Sequence, residues 1–174
     1  MQRRGFTLVE LLVGLAVGAI LLAIALPGYA YLARASRLAA ITNDLLTALQ
    51  LARSEAIKRG TRVTVCKTAD AESAVPACDA AAGWHEGWLV FVDGGAHGVI
   101  DVNDQVLRAQ AHSHRTVSIT ANATYGHYIS YRPDGTSQGS GGLPNGTLQI
   151  CADGDRRDII INHTGRPRLQ SGSC

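Results

Sequence analysis

From Phe6 to Leu26 the chain is almost unbroken apolar sequence, and that run constrains everything after it. It is about as long as a helix that crosses a bilayer. Its only ionisable side chain is Glu10, near the amino end. A carboxylate at that depth costs several kcal/mol if left unpaired, so it calls for a functional reason and a partner. Ahead of the run stands Met1-Gln2-Arg3-Arg4-Gly5, too short and too basic to join a fold. Arg3 and Arg4 should hold this end in the cytoplasm. An ordinary secretory signal has a shorter apolar region with a small-residue cleavage site beyond it. Here the small-x-small triplet Ala23-Ile24-Ala25 lies inside the run.

Gly5-Phe6-Thr7-Leu8-Val9-Glu10, with Pro27 after the run, resembles the leader of type IV prepilins and pseudopilins. The resemblance implies that a prepilin peptidase cuts after Gly5 and methylates the new amino terminus, Phe6. It also implies that the anchors leave the inner membrane and pack into the dry core of a filament. There Glu10 would pair with the amino terminus of a Phe6, its own or a neighbour's. A subunit out of register would leave that charge buried and unpaired, which is strongly destabilising. Pro27 and Gly28 predict a kink or local melting of the helix.

The domain organisation expected from this pattern is a leader at 1–5, a membrane and filament-core helix at 6–28, an amphipathic helix at 29–60 and a β-rich domain at 61–174. In the second helix Leu38, Ile41, Leu45, Leu49, Ala52 and Ala56 recur at three- and four-residue steps, the spacing of one buried stripe. Arg37, Asn43, Asp44, Gln50, Arg53 and Lys58 fall largely on other faces. Gly60 is a natural stop. Beyond it, Thr61–Cys66, Gly87–Val92, Val106–Gln110, Thr116–Thr120, Tyr128–Arg132, Thr147–Cys151 and Asp158–Asn162 read as short strands between turn residues. Spacing this short leaves no room for crossover helices, so the sheets should be antiparallel. The fold class is α+β: a long helix with antiparallel sheet packed on its carboxyl half. Ser137 to Gly146, rich in Gly and Ser, reads as a mobile stretch.

Sixteen Lys and Arg face 14 Asp and Glu, and Arg3 with Arg4 account for the excess of two. Without the leader the chain is formally neutral, so polyanion binding must come from local clustering and not from bulk charge. Four cysteines lie beyond the apolar run, in the part expected outside the cytoplasm, where disulfides persist. Four allow three pairings; the sequence-local one, Cys66–Cys78 with Cys151–Cys174, closes two loops rich in small and polar residues.

Trp84-His85-Glu86-Gly87-Trp88-Leu89-Val90-Phe91-Val92-Asp93, followed by Asp101-Val102-Asn103-Asp104-Gln105-Val106-Leu107-Arg108, resembles the signature of GspH/FimT-type minor pseudopilins. Trp84, Trp88 and Phe91 are expected to be packing residues. Asp93, Asp101, Asn103 and Asp104 offer oxygen ligands, but their spacing misses the standard calcium loop, and a solvated hairpin loop is the expectation. His112 and His114 would point to one side of a strand, but no third ligand is identifiable, and exposed histidines are the expectation. No G-x-S-x-G elbow accompanies the Ser, His and Asp residues. The expectation is a protein without enzymatic activity, cofactor or metal.

The carboxyl end, Thr164-Gly165-Arg166-Pro167-Arg168-Leu169-Gln170-Ser171-Gly172-Ser173-Cys174, holds two arginines and no acid. Gly165 permits a turn and Pro167 stiffens the link between the arginines. Tied by Cys174, the segment should be a pinned loop, losing less entropy when it engages a partner. Arginine forks fit phosphate oxygens, and Arg156 and Arg157 could broaden the patch. Gly165-Arg166-x-Arg168 resembles the G-R-x-R motif of FimT-like minor pilins that bind DNA in natural transformation. That resemblance implies DNA contact at Gly165, Arg166 and Arg168, with double-stranded DNA, other pilins and the prepilin peptidase as partners. It places the chain in the bacterial inner membrane, carboxyl domain periplasmic, and then in a surface pilus. The alternative is a structural minor pilin of a priming complex, or a pseudopilin of a type II secretion system, that binds no DNA.

Overall fold

The computed structural model describes residues 7–111 and 116–174. One helix, α1 (Leu8–Arg59), opens the chain. The chain divides into two compact units, Met1–Arg37 and Leu38–Cys174.

In the first unit Thr7 caps the helix. Its hydroxyl accepts the backbone N–H of Glu10 at 3.2 Å and its carbonyl that of Leu11 at 3.2 Å. Thr7-x-x-Glu10 is thus a helix-start signal as well as part of the leader pattern. Large apolar side chains line the helix fully open: Leu8, Leu15, Leu22 and Ile24 are each more than half exposed. A face of that size requires an apolar partner or a bilayer. The helix runs unbroken through Pro27 and Gly28, so the local melting expected there is absent. A proline removes one rung of the hydrogen-bond ladder, and the apolar turns on both sides carry the helix across it.

The second unit is built on the carboxyl half of α1. Leu38, Ile41, Leu45, Leu49, Ala52 and Ala56 are all buried, as their spacing predicts. Ala48 and Ala52 keep the helix surface low where the sheets meet it. Gly60 ends the helix at φ +64°, the left-handed conformation of a C-terminal cap.

Among the described residues nine strands follow: β1 (Val63–Lys67), β2 (Gly87–Val92), β3 (Val106–Ala111), β4 (Val117–Ala121), β5 (Tyr128–Tyr131), β6 (Ser137–Gly139), β7 (Gly146–Ala152), β8 (Asp155–Ile161) and β9 (Pro167–Ser173). They form a five-stranded sheet, β3-β2-β1-β5-β6, and a four-stranded sheet, β4-β7-β8-β9. Each pairing described is antiparallel. The fold is α+β, a helix packed against antiparallel sheets. Trp84, Trp88 and Phe91 are buried, and the Trp84 indole N–H donates to the Tyr125 carbonyl at 3.0 Å. His112 and His114 lie outside the described residues.

Two segments differ from the sequence reading. Ser137 to Gly146 is ordered: the Ser137 hydroxyl donates to the Pro144 carbonyl at 2.6 Å, and the Tyr125 hydroxyl donates to the same carbonyl at 3.0 Å. Gly139 sits against the Thr124 carbonyl, where any Cβ would collide, so glycine here serves close approach rather than flexibility. The carboxyl-terminal segment is not a loop. It is the edge strand β9, paired over its whole length with β8 from Ile161↔Pro167 to Asp155↔Ser173. Disulfides join Cys66 to Cys78 and Cys151 to Cys174. The second clips the end of β9 to β7 around the turn that separates β7 from β8, and the Cys174 N–H adds a bond to the Gly154 carbonyl at 3.0 Å.

Candidate nucleic-acid interface

The turn between β8 and β9 is the local structure that presents the two tail arginines. Asn162 to Gly165 closes it, with the Gly165 N–H donating to the Asn162 carbonyl at 2.9 Å. Gly165 has φ +72° and is buried. A Cβ there would overlap the Gly135 carbonyl and stand 3.1 Å from Cε1 of the Tyr131 ring. Only glycine combines that conformation with that approach. Gly165 therefore offers no contact surface to a ligand; it lets the turn seat itself on the β5–β6 turn.

Arg53, from the exposed side of α1, holds both turns. Its Nε donates to the Gly135 carbonyl at 3.1 Å and its Nη2 to the Thr164 carbonyl at 3.4 Å. Both acceptors are neutral, so the guanidinium charge is not cancelled where it sits. Arg166 follows Gly165 on the rim of this assembly and is exposed, as is Arg168. Neither has a hydrogen-bond or ion-pair partner among the described residues.

Arg156 and Arg157 do not join them. Arg168 pairs in register with Ile160, so Arg156 lies four positions along β8, about 13 Å away. Its Nε stands 3.2 Å from Asp158 Oδ1, a charge contact without hydrogen-bond alignment, and its guanidinium lies over Gly172. Arg157, an odd number of positions from Ile160, belongs to the opposite face of the sheet.

Acids near the arginines are already engaged. Asp134 accepts both the backbone N–H of Thr136 at 2.9 Å and its hydroxyl at 2.6 Å, which lowers its pKa. Glu55 is held by Arg59 and, at 3.6 Å, by Lys58. The Arg59 hydrogen bond lowers the Glu55 pKa. Both carboxylates are therefore ionised at neutral pH, yet each has its own donor. The grouping of Arg53 and Lys58 with the tail has no local sequence signal, since more than a hundred residues separate them.

The acids of the β2–β3 loop have a different task. Asp101 Oδ2 accepts the Ala96 N–H at 2.9 Å, while Asp104 accepts the N–H groups of Gly94 at 3.0 Å and Asp101 at 2.9 Å. Asp93 is buried and accepts from the Thr64 hydroxyl at 2.6 Å and the Gly98 N–H at 2.9 Å. These carboxylates fold the loop, and no metal-binding group of His, Cys, Asp or Glu occurs among the described residues.

Two family models match the chain. One, described as type II transport protein GspH, covers residues 42–165; the other, a prokaryotic N-terminal methylation motif, covers residues 1–26. The chain belongs to the GspH family and is a minor type IV pilin or pseudopilin of the GspH/FimT type. Its fold is similar to that of the type IV minor pilin FimU of Pseudomonas aeruginosa in two crystal forms. In one the TM-score is 0.57 at 20% identity, covering 78% of this chain and 89% of that one. In the other it is 0.54 at 19% identity, covering 75% and 90%. No curated protein shows a significant match.

Proposed function

We propose that this minor pilin captures extracellular double-stranded DNA through Arg166 and Arg168, for uptake in natural transformation. The observation that carries the reading is the glycine-shaped turn, which sets two arginines, unpartnered among the described residues, at the start of a strand held by pairing with β8 and a disulfide. Pre-ordering of that kind reduces the entropy lost on binding. Arginine forks suit phosphate oxygens, and phosphate contacts position a protein on DNA without reading sequence. One subunit binds weakly; repeated display along a filament supplies avidity.

The rest of the life cycle follows the leader. Peptidase cleavage after Gly5 leaves a methylated Phe6, the carboxyl unit stands in the periplasm, and Glu10 sets axial register in the filament core against the Phe6 amino terminus. A second reading, favoured by the secretion-type family match, is a structural pilin or pseudopilin in which the arginines meet acids of a neighbouring subunit. The deciding experiment titrates labelled duplex DNA with the full chain in neutral detergent. Weak, sequence-tolerant binding that falls with salt and disappears in Arg166→Ala/Arg168→Ala supports capture; equal binding by both proteins, or none by either, supports the structural role.

A further inference from the structure

Between the last turns of α1 and the β8–β9 turn runs an open furrow of about 500 Å³. Arg53 and Lys58 stand on its helix side and Arg166 on its strand side, while Ile57 and Pro167 supply apolar surface. Ile57 is 48% exposed. No acid lines the furrow. The nearest carboxylate on the helix, Glu55, is turned to Arg59.

We propose that this furrow seats one sugar–phosphate strand of the duplex, with Lys58 as a phosphate contact opposite Arg166. The inference rests on the DNA reading above and extends the site from the tail to the helix. Charge complementarity selects the occupant: three cations flank an acid-free channel, and a nucleic-acid strand alternates charged phosphates with the less polar faces of its sugars. Ile57 and Pro167 meet the sugars; Arg166 and Lys58 meet phosphates on either side. The Lys58 side chain is 77% exposed and its contact with Glu55 is 3.6 Å, so little is lost when the ammonium swings to a phosphate. The carbonyl end of α1 disfavours anions, and Lys58 with Arg59 in the last turn offsets it. Arg53 is the positioning residue, because it holds the β8–β9 turn that carries Arg166 and Pro167 on the far wall.

The test is the salt dependence of DNA binding by the full chain in neutral detergent, read by fluorescence anisotropy with a labelled duplex. Phosphates neutralised by Arg166, Arg168 and Lys58 give a slope of log K against log salt of about −2.7, and about −1.8 after Lys58→Ala. Between 50 and 200 mM salt the wild type then loses about 40-fold in affinity and the variant about 12-fold. Lys58→Ala itself costs about 15-fold at 50 mM and about 4-fold at 200 mM. Ile57→Asp, an exposed position whose change spares the core, should weaken binding at least as much. A wild-type slope in Lys58→Ala, with binding still lost in Arg166→Ala/Arg168→Ala, overturns the furrow while leaving tail capture in place. Loss of filament incorporation in Lys58→Ala with DNA binding intact would assign the furrow to a neighbouring pilin and also overturn it. Absence of DNA binding by the wild type removes both readings together.

Discussion

Replacing Gly165 with alanine separates a shaping role from a contact role. The added methyl must hold φ near +72°, which costs a non-glycine residue about 1–2 kcal/mol. It must also displace the Gly135 carbonyl, and overpacking of that kind costs about 1–3 kcal/mol. Backbone and not a flexible side chain blocks the way, so one of the two turns has to move. Arg53 bridges those turns through Gly135 and Thr164, and its bonds stretch in turn. A combined loss of about 2–5 kcal/mol lowers Tm by about 5–20 °C for a domain of this size. Thermal unfolding followed by circular dichroism reads the loss, and DNA titration below the transition should show weakened binding although both arginines remain. A Tm within about 2 °C of wild type together with undiminished DNA affinity would refute the reasoning. Weakened binding at unchanged Tm would instead make Gly165 a contact position.

Removing the second clip by Cys151→Ser/Cys174→Ser frees a loop of sequence separation 23, worth about 3 kcal/mol in the chain-entropy account; calorimetry should show the lower Tm, and DNA affinity should fall less than in Arg166→Ala. Tyr131→Phe tests alkaline stability. Burial raises the Tyr131 and Tyr125 pKa values above the usual tyrosine range, so stability is complete below about pH 10 and is lost above it, where only the unfolded chain ionises. The Tyr131 hydroxyl has no hydrogen-bond partner among the described residues, so the phenylalanine variant should equal or exceed wild type at pH 7 and lose less between pH 9 and 11.5; parallel losses would contradict this. Glu10→Ala should insert normally in the membrane yet enter filaments poorly, and normal amounts in sheared surface pili would remove the register role.

Periodicity made the helix legible. The stripe from Leu38 to Ala56 announced its buried face because a helix repeats in sequence what it repeats in space. Strand positions were legible to within a few residues for the same reason, through turn residues at close spacing. Edge strand β9 was not, since Pro167, Arg168, Gln170 and Gly172 carry little strand propensity; pairing with β8 and the Cys174 clip impose the conformation. The glycines of 137–146 looked like flexibility because composition cannot distinguish a glycine that moves from one that admits a neighbour's backbone. The turn glycine and the two arginines were visible as a motif, whereas Arg53 and Lys58 come beside Arg166 only through tertiary packing. Arg156 is set apart from the tail arginines by four strand positions and its contact with Asp158, and Arg157 by strand alternation.

The central claim is that Arg166 and Arg168 are the phosphate-binding groups, and the direct measurement is the affinity of Arg166→Ala/Arg168→Ala for a labelled duplex at 50 mM salt. Removing two phosphate contacts should weaken binding by about two orders of magnitude. Both side chains are exposed, so the Tm should stay at the wild-type value. Binding within about twofold of wild type, at an unchanged Tm, would contradict the account.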